Sequence, residues 1–357
     1  MTSFSYPIGI LLFNRPEYAA QVLESLRQQT LSVIPQSVVI VIDGFSGSKA
    51  EARGLPDQTA AVFAAASTAF PAAHIHRLPR NVGIAQAFEL LEREVFALAD
   101  GPDAPALPPI REPDSTLVPG ALESDWALFL EEDFVLYPLY LHAVERLIAH
   151  VDAHEEFVIV NATGHTRSDV TAFPNELHPI GHFWAFALRR SHAQARKPVL
   201  NLYSEAIRTK PYWRRDRLQI SQPFSALGMF VPGSSQDAIK KAIMHHLGKI
   251  GVTTGTAYGC YVGERGENFG PAVFRQQGFA VIPPVPKRFA LPAPLTPERL
   301  RALRERVDQT KAMPLANHRR QPLIVLRTAV ARVMQGQARS IRKNVGLIAT
   351  TLSEADR

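Results

Sequence analysis

The chain is poor in thiols: Cys260 is the single cysteine among 357 residues, which excludes an intrachain disulfide and any cysteine-based zinc cage. No stretch approaches the roughly 18 uninterrupted apolar residues of a membrane span. The N-terminus, with Tyr6-Pro7 ahead of a short apolar run, lacks the basic region and apolar core of a secretory signal. These absences lead to the expectation of a cytoplasmic protein. Also missing are the aromatic-basic interleaving of single-strand binders, zinc-finger spacing and a helix-turn-helix pattern, so nucleic acid is not an expected partner. No internal repeat is present.

What is there suffices for a large core. At 46% hydrophobic residues the chain can fill one large α/β domain plus an appendage. The net charge of +6 is modest but unevenly placed, because Arg299 to Lys343 is rich in Arg and Lys and has few acids. Such a tail suits an anionic membrane surface or an acidic glycan, and would put the protein peripherally on the inner face of the membrane. Prolines crowd two regions. Those between 100 and 120 predict a surface insertion, and those from Pro283 to Pro297 predict the end of the compact domain. The expected organisation is a domain over 1–290 and a proline-rich linker with a basic helical tail over 291–357.

Periodicity predicts alternating strands and helices. Ile8–Phe13 is an apolar strand, followed by a helix over Pro16–Gln29 with Ala19, Val22, Leu23 and Leu26 at helical spacing. Val38–Ile42 is a second strand. A helix over Gln58–Ser67, a strand over His74–Leu78 and a helix over Ile84–Leu98 follow, then an apolar strand from Trp126, a helix over Leu139–His150 and strands over Phe157–Asn161 and Phe183–Leu188. The region 195–235 reads as irregular. A helix over Asp237–Leu247, a glycine-rich stretch to Gly270, and helices over 298–312 and 322–350 complete the expectation. In the last of these, Leu323, Leu326, Val330 and Val333 form a stripe opposite Arg327, Arg332, Arg339, Arg342 and Lys343. Such alternation implies a mostly parallel sheet flanked by helices.

Three consecutive carboxylates, Glu131-Glu132-Asp133, stand directly after the apolar run Trp126–Leu130. In open α/β sheets ligands bind at the carboxyl ends of the strands, so the acids fall where a site is expected. Alternation along a strand would place Glu131 and Asp133 on one face and Glu132 on the other, offering a metal ligand and a ribose or acceptor contact. Like charges this close repel unless a cation or donors compensate. Carboxylates plus substrate phosphates are the hard-oxygen set expected of Mg²⁺ or Mn²⁺. Read alone, an acidic triplet begins a solvated loop or a helix; the buried strand before it favours the site.

Three more segments follow the same plan: Asn14-Arg15-Pro16 after the first strand, Asp43-Gly44 after the second, and Arg80-Asn81-Val82-Gly83 before the third helix. This set resembles the nucleotide-sugar glycosyltransferases of the GT-A (Rossmann-like) fold, in particular the N-acetylglucosaminyltransferase I family with overlap into bacterial family 2. The resemblance covers about residues 7–282 in outline. It implies that Asn14 and Arg15 meet the nucleotide diphosphate, that Asp43 meets the uracil base, and that Asn81 and Gly83 lie beside the nucleotide. It further implies that Glu132 meets the ribose, and that Asp133 holds the metal. The family's acidic motif has Asp where Glu132 stands, one methylene shorter. Downstream, Ser235-Gln236-Asp237 stands where the family has a Trp-Asp pair, making Asp237 the implied general base, with Glu264 and Glu205 in reserve. Each residue also has a plain structural reading. Asn14 with Glu17 would form a capping box, Asp43-Gly44 a turn, Asn81 an N-cap, and Asp237 a first-turn acid favoured by the helix dipole.

The resemblance implies a bacterial, metal-dependent inverting transferase of polysaccharide biosynthesis. Its donor would be a nucleotide diphosphate sugar, a UDP-sugar first among them, and its acceptor a glycan or a lipid-linked molecule. Two other readings stand beside it, a sugar-phosphate nucleotidyltransferase and a non-catalytic GT-A-like glycan-binding scaffold. Phe183-Trp184 and Tyr212-Trp213 are first guesses for an acceptor wall. His178 and His182 stand at i, i+4, but Pro179 and Gly181 between them break a helix, so zinc is not expected there.

Overall fold

The computed structural model describes residues 2–97, 124–164, 175–208, 217–229, 231, 233, 235–266 and 270–318. The strands, in chain order, are β1 (Ile8–Leu12), β2 (Val38–Ile42), β3 (His74–Arg77), β4 (Trp126–Glu131), β5 (Phe134–Leu136), β6 (Phe157–Asn161), β7 (Leu177–Pro179), β8 (Ala185–Arg189), β9 (Ile250–Thr254) and β10 (Gly259–Tyr261). The helices are α1 (Pro16–Arg27), α2 (Lys49–Ala52), α3 (Thr59–Ala69), α4 (Ile84–Phe96), α5 (Tyr140–Val151), α6 (Arg190–Arg208), α7 (Arg217–Ala226), α8 (Gln236–His246), α9 (Pro271–Gln276) and α10 (Pro297–His318).

Eight strands form one sheet in the order β3-β2-β1-β4-β8-β6-β9-β7. β1 pairs in parallel with both β2 and β4, and β2 with β3. β8 runs antiparallel to β4 and β6, and β7 antiparallel to β9, so six strands share one direction and two oppose it. The α/β architecture with a mostly parallel sheet flanked by helices is therefore the one observed. Alternation sorts each inner strand between two cores. Ile8, Ile10, Leu12, Trp126, Leu128 and Leu130 join the core under α1, α3 and α5. Leu11, Ala127 and Phe129 join the one under α4. A third apolar cluster ties α6, α7 and α8 together through Leu200, Tyr203, Phe224, Ile239 and Ile243.

Three expectations are corrected. The region 195–235 is not irregular: α6 runs through Pro198 and α7 through Pro223. Proline discourages a helix interior, but α6 buries His192, Arg196, Leu200, Tyr203 and Ile207 as a single stripe, and that burial prevails. The glycine-rich stretch before Gly270 contains β9 and β10, because Ile250, Val252 and Tyr261 are buried by the sheet and its neighbours. The compact unit also passes residue 290 and reaches Val307, since Leu303 and Val307 of α10 pack into the main core with Phe289 and Leu295 beside them. A second unit, 308–357, holds the end of α10. The proline-rich segment 100–120, the helix expected over 322–350 and Tyr212-Trp213 lie outside the described residues.

Candidate active site

The parallel strands β1, β2 and β4 end side by side, and their carboxyl termini open onto a pocket of about 520 Å³. It is lined by Asn14, Arg15, Asp43, Asn81 and Gly83, by the acids Glu131, Glu132 and Asp133, and by Gln236 and Asp237, the last near enough to Glu131 to act on its charge. Asn14, Arg15, Asp43, Asn81, Gly83, Glu131, Glu132, Asp133 and Asp237 therefore all reach one cavity, although over 220 positions separate the first from the last.

The acids are arranged differently from the expected alternation. β4 ends at Glu131, and a turn over Glu132 and Asp133 carries both of the latter to one guanidinium. Arg15 donates from Nε to Glu132 Oε1 at 2.6 Å and from Nη2 to Asp133 Oδ2 at 2.8 Å. The backbone N–H of Phe13 donates to Glu132 Oε2 at 2.8 Å. Glu132 is thus fully held, and Asp133 is held by one oxygen. Asp133 Oδ1 and Arg15 Nη1 are buried without a partner. Tyr261 adds a hydroxyl to Asp133, and burial first, then the charges of Asp133 and Glu131, push the phenol pKa far up. Glu131 makes no ion pair among the described residues; burial first, then Asp133 and Asp237, raise its pKa well above the usual carboxylate range against the pull of Arg15 and Lys240.

Asp237 sits in the first turn of α8, whose N-cap is Ser235, its hydroxyl accepting from the N–H of Ala238 at 3.2 Å. Burial pushes the Asp237 carboxyl up to about 6, against the pull of Lys240 and Lys241. Of the reserve acids, Glu264 is 3.6 Å from Arg275, and Glu205 pairs with Arg208 on α6; neither lines the pocket.

Asp43, Asn81, Gly83 and Asn14 are tied into loops. Asp43 accepts from the N–H groups of Gly44 and Val82 through Oδ1, and from Asn81 Nδ2 and the Gly83 N–H through Oδ2, all between 2.8 and 3.0 Å. Four donors make the carboxylate a latch between β2 and the start of α4. Gly44 lies against the backbone of Arg80, where any Cβ would collide, and Gly83 takes φ +80 as the N-cap of α4. Asn81 is therefore not the N-cap expected of it. Nor does Asn14 form a capping box: its Oδ1 accepts from Gln58 N–H at 2.6 Å and its Nδ2 donates to Pro56 O at 3.0 Å. Arg15 takes the N-cap position without a side-chain cap bond.

Several pocket residues carried no signal in the sequence. Lys49, Arg53 and Leu55, around α2, line the pocket. Trp184, half of one expected acceptor wall, does line the pocket and stacks in parallel between His182 and Tyr261, with ring centroids 4.1 and 4.5 Å apart and interplanar angles of 5° and 7°. Phe183, the other half, instead faces the core.

Among the described residues no group of three or more His, Cys, Asp or Glu forms a metal cage. The donor set still fits a divalent cation of the kind that takes one carboxylate and completes its shell with phosphate oxygens and water. The orphaned Asp133 Oδ1 offers that carboxylate, and the orphaned Arg15 Nη1 offers a phosphate donor beside it.

No protein-family model matches the chain, and no curated protein matches it in sequence. Solved structures match it distantly. TarS of S. aureus is 14% identical over 55% of this chain and 30% of its own, with a TM-score of 0.33. A mannosyltransferase of Pyrobaculum calidifontis, in complex with GDP-Man and Mn²⁺, is 14% identical over 55% of this chain and 48% of its own, at 0.31. A CMP-2-keto-3-deoxy-manno-octonic acid synthetase complexed with CTP is 12% identical over 77% of this chain and 97% of its own, at 0.34. The matched part thus spans under half of the first two proteins. Likeness of this degree carries no argument, and the strand order above stands without it.

Proposed function

We propose that this chain is a metal-dependent, inverting glycosyltransferase of the GT-A kind. It would transfer a sugar from a nucleotide diphosphate donor, a UDP-sugar first among them, to a glycan or lipid-linked acceptor. The observation that carries the reading is the pair of orphaned atoms, buried Asp133 Oδ1 and Arg15 Nη1, on two residues that line one pocket together with Asp237. Burying such atoms without partners costs stability, so a ligand that satisfies both is favoured.

In this reading Asp237 accepts the proton of the acceptor hydroxyl while that oxygen attacks the anomeric carbon. The bond from that carbon to the diphosphate breaks on the opposite face, which inverts the centre and requires no covalent enzyme intermediate. Arg15 receives the departing phosphate oxygens through Nη1, a planar donor suited to them. Asp133 would hold Mn²⁺ or Mg²⁺, which supplies positive charge to the leaving diphosphate when bound. Glu132 positions Arg15 and shares the ribose contact implied by the family resemblance. Asp43, Asn81 and Gly83 shape the nucleotide wall through the latch, while Asn14 fixes the loop at Pro56–Gln58. The stacked rings form the acceptor wall.

The test is release of nucleoside diphosphate from a panel of nucleotide sugars, with and without Mn²⁺. Slow, metal-dependent hydrolysis of one donor is expected. Release of pyrophosphate from a nucleoside triphosphate and a sugar phosphate would point to a nucleotidyltransferase. No release, and no thermal stabilisation by any nucleotide with Mn²⁺, would leave only the scaffold.

A further inference from the structure

We infer that the segment from Val281 to Arg288 is a docking surface for an anionic lipid bilayer, placed beside the aromatic end of the pocket. The inference deepens the transfer reading, on which it rests for its purpose: it selects the lipid-linked class of acceptor. Val281, Ile282 and Val285 are exposed by 52, 75 and 56%, three branched apolar side chains within five residues. Single exposed apolar residues are ordinary, but a cluster on a fixed backbone marks a contact surface.

The backbone is fixed. The Tyr137 hydroxyl donates to Pro283 O at 2.6 Å, Val281 N–H donates to Gly278 O at 3.2 Å, and Ala290 N–H donates to the Tyr258 hydroxyl at 3.1 Å. Pro283 is buried, as the anchor, while Pro284 is exposed. A segment held at both ends in this way cannot turn its apolar side chains inward.

Charge identifies the occupant. Lys287 and Arg288 are exposed beside the apolar cluster, and no Asp or Glu occurs between Gly270 and Leu291. Apolar tips flanked by uncompensated cations match an interface of acyl chains under anionic headgroups. Position gives the surface its use. Phe279, two residues before Val281, sets its edge against Trp184 at 5.0 Å, Tyr261 at 5.2 Å and His182 at 5.9 Å. The docking surface therefore begins at the outer side of the ring stack in the pocket wall, and an acceptor anchored in the bilayer would enter there.

The experiment is co-sedimentation of the full chain with phosphatidylcholine vesicles, with and without phosphatidylglycerol. Wild type is expected to bind the anionic vesicles only. Combined Val281→Ser, Ile282→Ser and Val285→Ser should abolish binding, and combined Lys287→Ala and Arg288→Ala should weaken it roughly tenfold or more. Ile282→Trp, in otherwise unchanged protein, should shift its emission to the blue on the same vesicles and be quenched by brominated lipid. The inference is overturned if wild type ignores anionic vesicles, or if the serine variant binds as wild type does. It is equally overturned if sedimentation velocity shows a dimer that the serine variant dissociates without any vesicle binding, which would assign the face to a second copy. Stabilisation by UDP with Mn²⁺, read on the same preparations, separates the two readings. Its absence counts against the transferase, whereas the vesicle result alone decides the surface.

Discussion

Two acidic clusters lie within one molecule, and their difference shows which is scaffold and which is site. Glu92, on α4, is buried between the guanidinium of Arg196, from α6, and Lys240 Nζ, from α8, the latter at 2.9 Å. Although burial alone would raise its pKa, these two cations hold it down to about 2. The cluster in the pocket is the reverse. Of Glu131, Glu132, Asp133 and Asp237, only Glu132 and Asp133 bond a cation among the described residues, both sharing Arg15, and burial drives Glu131 and Asp237 upward. A charge balanced from within stabilises a packing; a charge left in deficit awaits a ligand.

The largest effect that could break this contrast comes from Asp133→Ala. It should abolish Mn²⁺-dependent binding of nucleoside diphosphate, read by calorimetry, and retained metal-dependent affinity would show that the deficit has another purpose. Asp237→Asn should leave that binding intact and lower transfer by roughly 10²–10⁴-fold; full turnover would remove Asp237 from the mechanism. For the balanced cluster, Glu92→Gln strands two buried cations and should cost about 3–5 kcal/mol in urea unfolding. A loss under about 1 kcal/mol would mean that Glu92 is as dispensable as a surface acid.

Acidity sharpens the contrast further. Asp237 must be ionised to act as a base, so turnover should fall about tenfold per unit as pH drops below about 6. Glu92, with its pKa depressed, contributes stability that is complete above its ordinary 4.5 and is lost as pH falls through about 2. Activity should therefore fail in acid well before the fold does. The smallest expected effect is at the latch: Asn81→Ala removes two hydrogen bonds, to Asp43 and to Gly44 O, and should cost about 1–2 kcal/mol in thermal unfolding.

Local pattern made much of this legible. Strands such as Val38–Ile42 and Phe157–Asn161 match their expected bounds, because an uninterrupted apolar run buried on both faces has few other solutions. Arg15 and Asp133 were visible as charged residues just past the ends of such runs, whereas Asp237 was singled out through the family resemblance. Helix α6 was hidden by Pro198, whose local preference against helix yields to long-range burial. The stack that Trp184, itself an acceptor-wall candidate, makes with His182 and Tyr261 was hidden for a different reason. Its members come from the approach to β8 and from β10, and nothing in either segment announces the other.

By itself, then, the sequence determined which runs become buried strands and which polar residues stand at their carboxyl ends, because those depend on periodicity and neighbours along the chain. Only the tertiary structure decided how the polar atoms are spent. Asp43 and Asn14 became loop ties, Glu92 acquired two cations, and Asp133 kept one oxygen free. Hydrogen-bond partners and local desolvation are set by residues distant in the chain, and those two quantities separate a structural carboxylate from one poised to bind.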